Sequence, residues 1–207
     1  MLRLSKKTKH PRLALVLPVI AVIMIGGGVY ILSLVASPSL APLLVQKPIT
    51  VSALPAPEKT ENRLVIPKLG INIAYAPGIE SLDRGAQWRH PERGNPVDGG
   101  NFIIAAHRFS IQPTPMGTIE KSPFYSIDQL AANDKIIIDY KGTRYAYKID
   151  KIFDVKHTQT EIEAASETPL LTLYSCELGG SEAGRIVITA SLIGKVALDS
   201  GDEATQN

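Results

Sequence analysis

The chain contains a single cysteine, Cys176, and a single tryptophan. One thiol excludes an internal disulfide framework of the kind that staples many small exported domains. A basic face is also missing. The formal net charge is +2, yet Arg3, Lys6, Lys7, Lys9 and Arg12 all precede the first apolar run with no acid among them. The remainder holds 17 Lys and Arg against 20 Asp and Glu, or −3. Nucleic-acid binding needs the opposite balance, so no such partner is expected. The sequence shows no internal repeat, and strong helical periodicity is scarce beyond the N-terminus.

Charge is absent altogether from Leu13 to Ala36, LALVLPVIAVIMIGGGVYILSLVA. A helix needs ~20 apolar residues to cross the hydrocarbon core, and this run exceeds that. Pro18 and Gly26–Gly28 weaken a soluble helix but are tolerated where lipid forces backbone pairing. Cations before the run and none just after it predict the N-terminus inside and the rest outside. The alternative is a cleavable signal peptide, for which SLA at 39–41 offers a cleavage site. A secretory apolar core runs only ~7–15 residues, which favours an uncleaved single-pass anchor. On either reading the globular part lies outside the cytoplasm, where a free thiol is a liability. That compartment leans slightly towards a use for Cys176, and on the count alone the simple reading of a small buried side chain stands even with it.

The domains expected are a basic cytoplasmic tail over 1–12, a transmembrane anchor over 13–36 and a stalk over 37–62. The stalk carries five prolines, a composition that favours extended chain. A folded domain over 63–197 and a polar, acidic tail over 198–207 complete the chain. Within the folded part the pattern is short strands: RLVIP, INIAYA, NFIIAAHR, KIIIDY, TRYAYKID continued by KIFDVK, LLTLYSC and RIVITASLIG. Lys141–Gly142 joins two of them as a hairpin turn. Seven or eight strands with one or two short helices, near IESLDRGA and SIDQLAAND, predict a mainly all-β fold, a closed barrel or sandwich.

Three reactive side chains stand at strand ends. Cys176 closes LLTLYSC, His107 closes NFIIAA, and Arg185 opens RIVITASLIG. Together they make chemical sense. A thiol needs a basic or cationic neighbour to become a useful thiolate. An imidazole supplies that and can then protonate a leaving amine. A guanidinium donates to a developing oxyanion without ever titrating. His10, His90 and His157 lie in tail or loop sequence and read as solvated.

TLYSC followed by Arg185 resembles the Thr-Leu-X-Thr-Cys signature of sortases, and GNFIIAAHR at 100–108 resembles that family's strand ending in the catalytic histidine. The upstream IPKLGINIAYAPGIESLDRGAQWRHPERGNPVDGGN is similar too, so the resemblance covers about 63–195. It implies a membrane-anchored cysteine transpeptidase on an eight-stranded β-barrel. Such an enzyme cleaves a Leu-Pro-X-Thr-Gly-like sorting signal through a thioester, and an amine of the cell wall resolves that thioester. The partners implied are surface proteins bearing such a signal, a peptidoglycan precursor or other amine acceptor, and the membrane. Carried over, Cys176 is the nucleophile, His107 the acid and base, and Arg185 the stabiliser. Thr172 and Ser175 would stand beside the substrate. Ser175 replaces the usual threonine and Ala106 the usual glycine, both mild changes.

No lid motif and no second apolar span are visible, which favours surface-protein anchoring over pilin polymerisation. Glu161 and Glu163 share a loop, but two acids fall short of the 6–8 oxygens calcium takes, so no metal and no cofactor are expected. The competing reading from a different class is a membrane-tethered β-domain that binds cell-wall ligands and leaves Cys176 inert.

Overall fold

The computed structural model describes residues 11–44 and 46–197. The tail expected from 198 onward, and the basic tail through 10, lie outside the described residues. Helix α1, Pro11–Leu44, runs past its expected end at Ala36 and takes in Pro38 and Pro42. The rest of the expected stalk does not stand free. Ile49 N–H donates to Pro67 O at 2.8 Å, and Arg144 Nη2 reaches Pro55 O at 2.7 Å. Arg144 is itself buried in a two-pronged pair with Asp139, 2.7 Å on each prong, so the segment is fastened to a fixed point.

Nine strands follow: β1 Arg63–Ile66, β2 Ile71–Ala76, β3 Gly85–Arg89, β4 Gly94–Asn95, β5 Gly99–Ala106, β6 Lys135–Tyr140, β7 Thr143–Val155, β8 Leu170–Glu177 and β9 Gly180–Lys195. They pair in the order β3-β2-β1-β6-β7-β9-β8-β5, and β3 pairs β5 to close the ring. The result is a closed eight-stranded barrel, with the two-residue β4 appended to β5. Closure removes the exposed edges that an open sheet would present.

Side-chain alternation sends one set of each strand inward. On β7, Tyr145, Tyr147 and Ile149 face the core, and on β8 Leu171 and Leu173 do so. Tyr75, Trp88, Phe102 and Tyr140 form the aromatic centre, with Trp88 edge-on to its neighbours at 5.6–6.3 Å. The hairpin β6–β7 turns through Lys141 and Gly142, both at positive φ (48° and 80°), a geometry matching strand twist.

The two short helices expected are both 3-10 helices: IESLDRGA turns at Ile79–Asp83 and then enters β3, and SIDQLAAND turns at Ile127–Gln129. Only Ala86 and Trp88 of β3 face the core, too few for alternation to stand out. A further short helix not expected from the sequence, α2 at Pro115–Glu120, is started by Pro115 and capped by Thr114, whose hydroxyl accepts from Gly117 N–H at 3.0 Å.

Candidate active site

Strands β5 and β8 are parallel neighbours, with Ala105 opposite Tyr174. Continuing that register places His107, just past β5, beside Cys176. Strand β9 runs antiparallel to β8 and sets Arg185 directly opposite Cys176. Directly opposed residues point to the same face of a sheet, with Cα atoms about 5 Å apart. Because Leu171 and Leu173 face the core, Cys176 faces outward with Tyr174. The three side chains singled out by sequence therefore meet on the outer surface of the barrel, near its rim.

They line one groove of about 310 Å³. Its floor comes from Gln87, Arg89, Ala105 and Ala106, and one wall from Ile79 and Leu82. The opposite wall is the β7–β8 connection, through His157, Gln159, Thr160, Ile162 and Glu163. Arg185 Nη1 donates to Gly184 O at 2.9 Å. Gly184 has φ +138°, and a Cβ there would stand 2.7 Å from Val155 O, so the approach to Arg185 requires glycine.

Of the two loop acids, Glu163 is held by the fold: its side chain is 12% exposed and joins three elements. Arg89 Nε lies 2.6 Å from Oε1, His90 Nε2 lies 3.0 Å from Oε2, and Tyr174 donates its hydroxyl to Oε1 at 2.5 Å. Burial alone would raise this carboxyl. Hydrogen bonds from Tyr174 and Arg89, the Arg89 charge and the His90 contact outweigh burial and hold it below the ordinary carboxylate range. Burial, then the bond to Glu163 and its charge, pushes the Tyr174 phenol well upward. Backbone contacts extend the same fastening. Arg93 Nη1 donates to Glu163 O, and Asn101 Nδ2 donates to Ala164 O at 2.7 Å. His90 is thus a half-buried partner of Glu163, while His157 sits in the groove wall with Nδ1 3.1 Å from Glu182 O.

The hydroxyls of Thr172 and Ser175 are both bonded within the protein, although Ser175 lines the groove beside Cys176. Thr172 Oγ1 donates to Asn101 Oδ1 at 2.7 Å, and Ser175 Oγ to Ala106 O at 2.8 Å; both residues are about 1% exposed. The second bond ties β8 to β5 immediately before Cys176 and His107. Buried Arg108 adds another tie. Its Nη1 pairs with Glu177 at 3.0 Å and its Nη2 with Asp128 at 3.2 Å. The Glu177 carboxyl is nonetheless pushed up, by burial first and then by the neighbouring Asp154 carboxylate.

Sequence reasoning passed over Gln87, Arg89, Tyr174 and Arg108. Arg108 alone left a trace, as a charge directly following an apolar strand. No group of metal-ligating side chains occurs among the described residues.

A sortase-domain family model matches residues 64–193, more than half of the chain. Among solved structures, a Clostridium perfringens sortase D5 transpeptidase aligns at 26% identity with a TM-score of 0.52, over 65% of this chain and 79% of its own. Sortase E1 from Streptomyces coelicolor, solved with a tripeptide in its active site, aligns at 21% and 0.53, over 70% and 94%. Sortase C1 of GBS pilus island 1 aligns at 22% and 0.56, over 66% of each chain. At those identities the last two speak for the fold alone. No curated protein matches the chain at a comparable level.

Proposed function

The chain belongs to the sortase family, and from that premise we propose that it cleaves a Leu-Pro-X-Thr-Gly-like sorting signal through Cys176 and transfers the acyl part to a cell-wall amine. The observation that carries this reading is the meeting of Cys176, His107 and Arg185 in one groove. In the proposed sequence the Cys176 thiolate attacks the scissile carbonyl carbon, and a C–S bond forms. Arg185 donates to the carbonyl oxygen as it becomes negative. The C–N bond then breaks, and the leaving amine takes its proton from the His107 imidazolium. An acceptor amine attacks the thioester next and gives a proton to His107, and the C–S bond breaks to restore the thiolate. No electron donor or further reactant is needed.

The apolar side chains of Ile79, Leu82 and Ile162 beside the reacting groups suit the leucine and proline of such a signal. Helix α1 contains a stretch, Val16–Leu43, long and apolar enough to cross a membrane. We read it as the anchor of a single-pass protein with its N-terminus cytoplasmic and the barrel outside. The preference for surface-protein anchoring over pilin polymerisation belongs to the same proposal.

The test is a sorting-signal peptide library incubated with the protein. Mass spectrometry is expected to find an acyl group on Cys176, and Cys176→Ala to abolish cleavage. Arg185→Lys is expected to lose ~10²-fold in kcat, since Lys lacks the planar fork of donors. Normal cleavage by Cys176→Ala would sink the assignment.

A further inference from the structure

One end of the barrel is seated against α1, and we propose that this end rests on the lipid surface that α1 enters, with the segment around Ile111–Met116 in the headgroup layer. The proposal rests on reading α1 as a membrane anchor. It does not depend on which way the helix crosses.

Exposure along α1 changes abruptly. Every residue from Val16 to Leu32 is exposed, whereas Leu34, Ser37, Pro38 and Ala41 are buried. Spacings of three and four put those buried residues on one helical face, turned to the barrel. At 1.5 Å per residue the exposed stretch spans about 25 Å, and the uncharged residues preceding it bring the length to about 30 Å, the thickness of a hydrocarbon core. The helix therefore completes a crossing just where its contact with the barrel begins. That contact opens at Tyr30, whose hydroxyl donates to Pro113 O at 2.6 Å. A tyrosine with an apolar ring and a polar tip belongs at the interface depth. Its bond to Pro113 fixes the 111–116 segment at that depth as well. Farther along, Ser39 Oγ lies 2.8 Å from Tyr125 Oη, so the docking has a second polar point.

The segment is rigid enough to be a fixed surface. Gln112 N–H donates to Thr118 Oγ1 and Ser110 N–H to Ser122 Oγ, each at 3.0 Å, with Thr118 and Ser122 buried. On either side of Pro113, Ile111 and Met116 remain about half exposed. One more exposed apolar side chain, Leu178 in the β8–β9 hairpin, lies at the same end of the barrel. Exposed apolar side chains on a fixed segment mark a contact surface, and continuity with a membrane-crossing helix selects lipid as what covers it.

His107 and Cys176 stand at this same end, where β5 and β8 finish. The groove then opens beside the bilayer.

The experiment uses the full chain in vesicles of equal parts phosphatidylcholine and phosphatidylglycerol. In a Cys176→Ala background, Met116→Cys, Ile111→Cys, Met24→Cys and Val97→Cys are each labelled with an environment-sensitive fluorophore and quenched by spin-labelled lipids. Val97 precedes the start of β5, about 25 Å from the other end of that strand. The fluorophore at position 24 is expected to be quenched by deep spin labels. Those at 111 and 116 are expected to be quenched by shallow labels at least ~2-fold more than that at 97. Deep quenching at 24 with 111 and 116 no different from 97 overturns the proposal and leaves the anchor standing. Absence of deep quenching at 24 overturns both. A blue shift at 116 without lipid quenching means that protein covers the patch, which also overturns the proposal.

Discussion

Tyr174 donates its hydroxyl to Glu163 across 2.5 Å, so the residue two positions before Cys176 holds the loop that walls the groove. The same carboxylate takes Arg89 from β3 and His90 beyond it. Removing its charge should let the wall drift from the floor. Glu163→Gln is expected to destabilise the barrel by ~1–3 kcal/mol, the cost of leaving buried partners unsatisfied. Cleavage should suffer through KM, with kcat nearly kept, because Glu163 touches no reacting atom. Urea midpoints and steady-state kinetics on one preparation separate the two effects.

The same carboxylate sets a pH dependence whose sign is fixed. Its folded pKa is lowered, so the stability it contributes is fully present above the unfolded value of ~4.3 and is lost as pH falls through the folded one. Glu177 works the other way. Its carboxyl is raised, so the stability linked to it is present at low pH and disappears as pH rises through the folded value. The wild-type advantage over Glu163→Gln should therefore be flat near neutrality and shrink on acidification. An advantage that grew on acidification would refute this account of the network.

Reading the sequence identified what depends on single residue types at strand ends and missed what depends on loops. Cys176, His107 and Arg185 were legible because each terminates or opens an apolar run, and alternation announces such runs. Their meeting on the outer face followed from the parallel pairing of β5 with β8, a partner choice that no local pattern carries. Glu163 was unreadable for a related reason. Its partners Arg89 and Tyr174 come from strands distant in sequence, and only the folded loop brings the carboxylate between them. The partner of Thr172 is not legible, because a hydroxyl in a strand looks the same whether it meets a substrate or Asn101. The segment after α1 was read as free stalk because proline content reports extension, while its docking depends on the buried Arg144–Asp139 pair.

Arg108 offers a prediction about spacing. It is a buried cation between Glu177, next to Cys176, and Asp128, while its own neighbour is His107. Loss of the charge removes a cation that offsets Glu177 and the Asp154 carboxylate facing it. Arg108→Gln is expected to lower kcat ~10-fold or more by letting the ends of β5 and β8 separate, as small misplacements of reacting groups do. Because it acts through position, Arg108→Lys should recover part of the rate and a comparable share of stability. Identical kcat values for Arg108→Gln and the wild type would remove Arg108 from the positioning of the site.

Gln87 carries the last prediction, about substrate hold rather than chemistry. It lies on β3 opposite Ala105, on the groove floor one pleat from His107. Its side-chain oxygen is buried with no hydrogen-bond partner among the described residues. An unsatisfied buried acceptor costs ~1–3 kcal/mol, and a backbone N–H of a bound extended peptide would relieve that cost. The free protein then bears a strain that binding removes. Gln87→Leu is expected to raise stability by ~1 kcal/mol while raising KM ~10-fold, because both effects come from the same missing bond. A purely structural glutamine predicts the opposite pairing, with stability falling and KM unchanged. Denaturation and peptide-cleavage kinetics on Gln87→Leu therefore decide between the two in one variant.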